Sequence, residues 1–502
     1  MSPDGDTSQQ DDQGQQSHQG MYDPLVAHHA RVLDPTSAVK IDGRPFDTTL
    51  YVADRILAEG GPTSEAIENL RAWLREVKHV DARPDRVNLR LFEARGDRPR
   101  RLPWVTPLEL SPVPGYAVAI DAWSLIQEYR AVVSGARKPD NEHEEALQRR
   151  VTEVGLDHLM TATILGQSLT AGETKTIGIT KTIGITKTIG IGISDQYAVP
   201  GLGGRTPVAY VGPAPARSEL DDRPVVVLLD TGIGKHPWLA AGVSVQPGPQ
   251  GAEPEATGVC HHQLEGGLDD FSGHGTFIAG LIRQACPDAD LIMVPVMDCA
   301  GFVAESSMIN TLEELANLRA GGLRVDAVSM SFGYYHEAAD AQKTSLLRNA
   351  LGCLADEPDP RGRRLALVAS AGNDSTDRPL LPAGFVDIDG LIGVGATNPN
   401  GTVALFSNAG DWVDAYWPGA QVLSTLPVTF NGSIQPTART HWQKQVRETL
   451  DLDDFSAGFA TWSGTSFAAP AFLGFCLQQQ LSAGSVTALV DVVRDVAAKN
   501  SR

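Results

Sequence analysis

Runs of consecutive apolar residues recur along the second half of the chain: Val225-Val226-Val227-Leu228-Leu229, Leu291–Val296, Ala327–Met330, Leu365–Ala369 and Leu391–Ala396. A strand that is apolar on both faces must be covered on both faces, so these runs predict buried strands of a parallel sheet. Between them, Met308–Leu318 and Thr344–Leu354 carry apolar residues at helical spacing. Alternation of this kind predicts an α/β domain over residues 223–502, with a mostly parallel sheet and helices on both sides.

Residues 21–150 are patterned differently. Thr48-Thr49-Leu50-Tyr51-Val52 predicts a strand. Ala66, Leu70, Trp73 and Leu74 fall at helical spacing behind Thr63 and Ser64, either of which can cap the helix. Val87–Phe92 alternates apolar and polar residues and predicts a half-buried strand, and Asp121 opens a further helix through Ile126. The sum is a small α+β unit ahead of the α/β domain.

Residues 151–222 read as a linker. They hold Thr-Lys-Thr-Ile-Gly-Ile three times, starting at Thr174, Thr180 and Thr186, followed by a turn-rich stretch with Pro200, Gly201, Gly203, Gly204, Pro213 and Pro215. Because the period is even, an extended repeat would set Ile177, Ile179, Ile183, Ile185, Ile189 and Ile191 on one face. A length-variable linker is the simpler reading. Six bare isoleucines would invite strand pairing, so something is expected to cover them.

A length of 502 residues agrees with two or three domains. The net charge of −20, from 61 acidic and 41 basic residues, argues against a nucleic-acid partner, which requires a basic face. Residues 1–20 are polar, lack the pattern of a signal peptide and are expected to be disordered. No uninterrupted apolar run approaches a membrane span. The five cysteines are odd in number and widely spaced, which suits a reducing compartment better than a disulfide framework. These features predict a cytoplasmic protein.

Candidate chemistry sits at three places. The first apolar strand ends in Asp230-Thr231-Gly232, placing a carboxylate at the carboxyl edge of the sheet, where open α/β folds bind ligands. Gly273-His274-Gly275-Thr276 sets an imidazole between glycines at the head of a small-residue helix. Ser463-Gly464-Thr465-Ser466-Phe467-Ala468-Ala469-Pro470 sets a hydroxyl at another helix N-terminus, where N–H groups favour an oxyanion. Taken singly, each has a structural reading: a helix cap for the acid or the serine, a packed ring for the histidine.

Together, in the order Asp, His, Ser, these segments resemble the three signatures of the subtilase family of serine peptidases. The resemblance implies a three-layer α/β domain and peptide hydrolysis through an acyl-enzyme, with Ser466 as nucleophile, His274 as base and Asp230 as its orienting acid. It implies that Asn373, at the end of Leu367–Gly372, serves the oxyanion hole. It also places Ser331-Phe332-Gly333 and Gly301 along an extended polypeptide substrate, with Phe332 where the family usually has Leu. No cofactor or metal is required by that chemistry. Structural calcium at Asp269-Asp270 or Asp451–Asp454 is weighed against solvated loop carboxylates, and a zinc site at Cys260-His261-His262 with His236 lacks regular spacing.

Within this resemblance, residues 21–150 are either a propeptide-like inhibitor or a retained module that recruits a regulatory protein. Residues 428–461, ahead of the serine segment, form an insertion of the kind that makes a lid or specificity element. The alternative to a peptidase is a catalytically silent peptide-binding scaffold, which would have no need of all four site residues.

Overall fold

The computed structural model describes residues 24–162 and 204–501, apart from 42, 44, 96–101, 249–254, 262–265, 339–344 and 484–487. The polar tail 1–20 and the hexapeptide repeat lie outside the described residues.

Seven parallel strands form the main sheet, in the spatial order Ala415–Pro418, Leu391–Thr397, Ala366–Ser370, Ala327–Met330, Val225–Asp230, Asp290–Pro295, Val243–Val245. Val225–Asp230 shows why the run is apolar throughout. Val226 and Leu228 pack with Phe277, Ile282 and Leu473 on one face, while Val227 and Leu229 pack with Leu312, Leu347 and Leu351 on the other. Each such side chain stabilises the fold by about 1.5–3 kcal/mol when buried. The four later predicted strands fall within a residue of their expected positions. The predicted helices are found as Glu305–Ala320 and Leu346–Asp356. The expected α/β architecture is thus present, with a parallel sheet and helices on both faces.

The N-terminal unit is an antiparallel sheet centred on Thr49–Glu59, with helices Glu65–Lys78 and Ala122–Val133 burying Trp73, Leu74 and Trp123 against it. Ser64 and Asp121 occupy the predicted cap positions, and the Asp121 carboxylate accepts from Ser124 N. Three expectations are corrected. Val87–Phe92 is not a strand but part of the helix Arg86–Arg95. The Asp85 carboxylate accepts from Asn88 N at 2.9 Å and starts the helix, an effect that outweighs the alternation of Val87, Leu89 and Leu91. The supposed linker contains the strand Val154–Thr161, which pairs with Thr49–Glu59 and belongs to the N-terminal sheet. Cys260 and Cys299 form a disulfide across 39 residues of sequence, a spatial pairing that spacing alone did not reveal.

Candidate active site

Asp230, His274 and Ser466 stand on three different elements at one edge of the sheet. Asp230 ends its strand and is buried. Its Oδ1 accepts from Thr231 N at 2.8 Å and lies 2.8 Å from His274 Nδ1. Oδ2 is buried without a partner among the described residues, so the bonds that hold the carboxylate all fall on Oδ1. His274 opens the helix His274–Ala285, with its ring enclosed by Phe271, Trp462 and Phe467. The following Gly275 allows this close approach, since a Cβ there would lie 2.1 Å from Gly232 O.

Ser466 lies in the first turn of the helix Thr465–Ser482. Pro470 explains part of its setting. With no N–H, Pro470 cannot bond back to the Ser466 carbonyl, and that carbonyl instead accepts from Ser331 Oγ at 2.9 Å. The Ser466 hydroxyl points to Ser331 O at 3.4 Å. The serine helix is therefore tied to the Ser331 segment in both directions.

Asn373 follows the strand Ala366–Ser370. Its Oδ1 accepts from both Thr465 N and Thr465 Oγ1 at 2.9 Å, which turns the amide nitrogen toward Gly464. Asn408 holds the loop from behind: its Oδ1 accepts from Asp374 N at 2.9 Å, and its Nδ2 donates to Ala371 O at 2.9 Å.

Gly301 and Gly333 lie on two segments that bracket the end of an N-terminal strand, and Ser331, two residues before Gly333, is bonded to Ser466. Phe302–Ala304 pairs antiparallel with the end of Val154–Thr161, in the register Phe302↔Thr161, Val303↔Met160, Ala304↔Leu159. On the other side, Thr161 N donates to Gly333 O at 3.0 Å, Gly333 N returns a bond to Thr161 O at 2.9 Å, and Ala162 N donates to Gly301 O at 2.9 Å. Gly301 has φ +78, and a Cβ there would meet the Phe271 ring at 2.6 Å, so this turn admits only glycine. Met160 is fully buried in the apolar cluster that also contains Phe271, Val303, Phe332 and Tyr334.

Charged groups clamp the strand. Asp157 accepts from Ser306 N at 2.8 Å and Ser306 Oγ at 2.7 Å, placing an anion at the start of the helix Glu305–Ala320. Arg55 joins it at 3.1 Å. His158 lies between two carboxylates of the other unit, 2.5 Å from Glu305 and 2.7 Å from Glu337. Burial alone would lower its pKa, yet the two carboxylates raise it from 6.5 to about 10. Sequence reasoning missed this strand's role. The available signal was the pair Asp157-His158, charged residues inside an otherwise apolar run.

Two groups of side chains among the described residues could converge on an ion: His158, His336 and Glu337, and Cys260, Asp269 and Cys299. In the first, the His158 imidazole is paired with the Glu337 carboxylate; in the second, the sulfurs are joined to each other. That disulfide also removes the weighed zinc set. His261 bonds Asp269, His236 caps the short helix Pro237–Leu239, and His262 lies outside the described residues. Asp269 accepts from Cys260 N, and Asp453 from Ile434 N, so both carboxylates tie their own loops. In the insertion, the hairpin Arg439–Trp442 with Gln445–Glu448 is exposed throughout, while Phe430 and Phe455 anchor its base in the core.

The sequence pattern of the subtilase family matches residues 221–480. The alkaline protease of Alkalihalobacillus alcalophilus is 29% identical over 224 residues, covering 42% of this chain and 50% of that protein. Subtilisin BL of Lederbergia lenta is 30% identical over 224 residues, covering 42% of this chain and 70% of that protein. The chain thus spans about half the length of some of the curated relatives it matches. A cold-adapted subtilisin-like serine proteinase of known structure aligns with a TM-score of 0.38 at 19% identity, over 55% of this chain and 81% of that one. The matched segment takes in the whole parallel sheet and all three signature segments, and on it the chain belongs to the subtilase family.

Proposed function

We propose that the chain is a serine endopeptidase acting on polypeptides, held latent by its N-terminal unit. The observation that carries this reading is the strand Val154–Thr161, whose end is paired on both sides by the Gly301 and Gly333 segments. An extended peptide bound by main-chain bonds is how a peptidase holds substrate largely independently of sequence. Here the chain supplies that peptide itself.

In the proposed reaction, the Ser466 hydroxyl turns from Ser331 O to His274 and attacks the peptide carbonyl as His274 Nε2 takes its proton. Asp230 holds Nδ1 and stabilises the imidazolium. The amide of Asn373 and the Ser466 N–H bind the oxyanion, and His274 then protonates the leaving amine. Asn373→Ala is expected to lower kcat by about 10²–10³-fold with KM little changed. A loss confined to KM in steady-state kinetics would remove Asn373 from this role.

The test is intact mass with and without a fluorophosphonate probe. The expected result is a single adduct on Ser466 and a new N-terminus shortly after Ala162. A folded chain that takes no adduct, even with the strand displaced, would favour the silent peptide-binding reading.

The clamp also predicts how latency depends on pH. His158 is raised to about 10 when docked, so its contribution is full below about 6.5 and is lost as pH rises toward 10. Burial makes ionising Glu337 costly, but His336 and His158 outweigh that cost; its pKa falls well below 4.5, and its contribution is lost only in acid. Docking should therefore weaken steadily from about pH 6.5 upward. Amide exchange of residues 154–162 in Ser466→Ala, corrected for the intrinsic rate, reads this. A flat profile up to pH 9 would overturn it.

A further inference from the structure

Behind the Asp230–His274 pair lies a second buried carboxylate that the reaction outlined above does not use. Glu255 is 1% exposed. Its Oε1 accepts from Thr231 Oγ1 at 2.5 Å and from Gly273 N at 3.0 Å, and its Oε2 accepts from Thr276 Oγ1 at 2.9 Å. One carboxylate thus spans the residue after Asp230, the residue before His274 and the first turn of the His274 helix.

The hydroxyl of Thr231 is the hinge of this arrangement. It accepts from Gly275 N at 3.1 Å and lies within reach of two carboxylates, Glu255 at 2.5 Å and Asp230 Oδ1 at 3.3 Å. A hydroxyl has one proton to give. With Glu255 ionised, that proton goes to Oε1. With Oε1 protonated, the carboxyl donates to Thr231 Oγ1, and the threonine proton turns to Asp230.

We propose that Glu255 is a positioning residue of the triad: its protonation state, passed through the Thr231 hydroxyl, sets the hydrogen bonding of Asp230 and thereby how readily His274 takes a proton. The surroundings suit a group that titrates in the working range. Burial pushes the Glu255 carboxyl up from 4.5 to about 7, against the hydrogen bonds from Thr231 and Thr276, while the charge of Asp230 adds to the rise. The charged groups facing this site are Asp230 and His274, the buried guanidinium of Arg205, and the carboxylates of Asp269, Asp270 and Asp453 around that guanidinium. Arg205 is itself engaged with the carbonyls of Ser272 and Asp269, leaving Glu255 without a direct ion pair among the described residues.

This proposal rests on the peptidase reading for its kinetic consequence but not for its physical one, and the experiment separates them. An ionised Glu255 favours the protonated imidazole, so Glu255→Gln should move the His274 titration midpoint to lower pH by roughly half to one unit. The midpoint is followed by ring-proton NMR in the full chain carrying Ser466→Ala, where no catalysis is needed. In the otherwise wild-type chain the acid limb of kcat/KM should move by the same amount, KM should stay unchanged, and Glu255→Asp should restore the original limb.

Thr231→Val, which removes the hydroxyl at nearly constant volume, leaves no proton to turn to Asp230, so it should move the midpoint the opposite way, to higher pH, and serves where the Gln variant does not fold. An unmoved midpoint in the folded variant would overturn the proposal, as would a uniform loss of kcat at every pH. A shifted midpoint in a chain without peptidase activity would uphold the coupling and overturn only the peptidase reading.

Discussion

Ser466→Ala is expected to lower peptidase turnover on the order of 10⁶-fold, the size of the corresponding loss in subtilisin, while leaving the fold as it is. The second half of that statement follows from what the side chain holds. The bond that ties the serine helix to its neighbour runs from Ser331 Oγ to the backbone carbonyl of residue 466, which alanine keeps. Among the described residues the lost hydroxyl makes only the 3.4 Å contact to Ser331 O. Melting temperature should therefore change little, and no fluorophosphonate adduct should form. The N-terminal unit should also stay covalently attached if its removal is self-catalysed. Continued processing of the alanine chain by itself, in pure form, would point to another nucleophile and sink the role given to Ser466.

The second large effect concerns the strand between Gly301 and Gly333. Thr161→Pro should increase the rate at which a fluorophosphonate labels the uncleaved chain by roughly 10–100-fold. Proline removes the N–H that bonds Gly333 O and leaves that carbonyl unpaired. Such a loss costs about 1–3 kcal/mol, and each 1.4 kcal/mol is a factor of ten in the open population. The substitution is aimed at the junction and not at the N-terminal sheet: the pairing of this strand with Thr49–Glu59 reaches only as far as His158. Thr161→Ser, which keeps the main-chain bonds, should label like the wild type. Equal labelling of the proline and serine chains would mean that the strand does not block the nucleophile.

Much of the site could be read from the sequence because its parts are local. Asp230 follows an unbroken apolar run, His274 and Ser466 each open a helix among small residues, and Asn373 follows a buried strand by three residues. Each depends on its immediate neighbours for backbone shape, so the pattern survives in one dimension. Glu255 has no such local mark. It sits in a loop rich in Gly and Pro, and its meaning comes from Thr231, Gly273 and Thr276, which are brought to it by two other elements. The helix at Arg86–Arg95 is hidden in the sequence because three apolar residues at every second position fit a strand, while the Asp85 cap that decides the matter is a single side-chain bond.

By itself the sequence determined the five central strands of a parallel α/β sheet (but not its edge strands Val243–Val245 and Ala415–Pro418), the three signature segments and an N-terminal α+β unit. These follow from apolar periodicity and from glycines, prolines and caps, all of which act over a few residues. Only the tertiary structure decided that Cys260 meets Cys299 and that Glu255 stands behind Asp230. It alone decided that Val154–Thr161 lies against Gly301 and Gly333. Main-chain pairing between distant segments leaves little trace in side-chain order, because any extended residue can make it. What did leave a trace was the charge needed to hold that pairing in place, in Asp157 and His158.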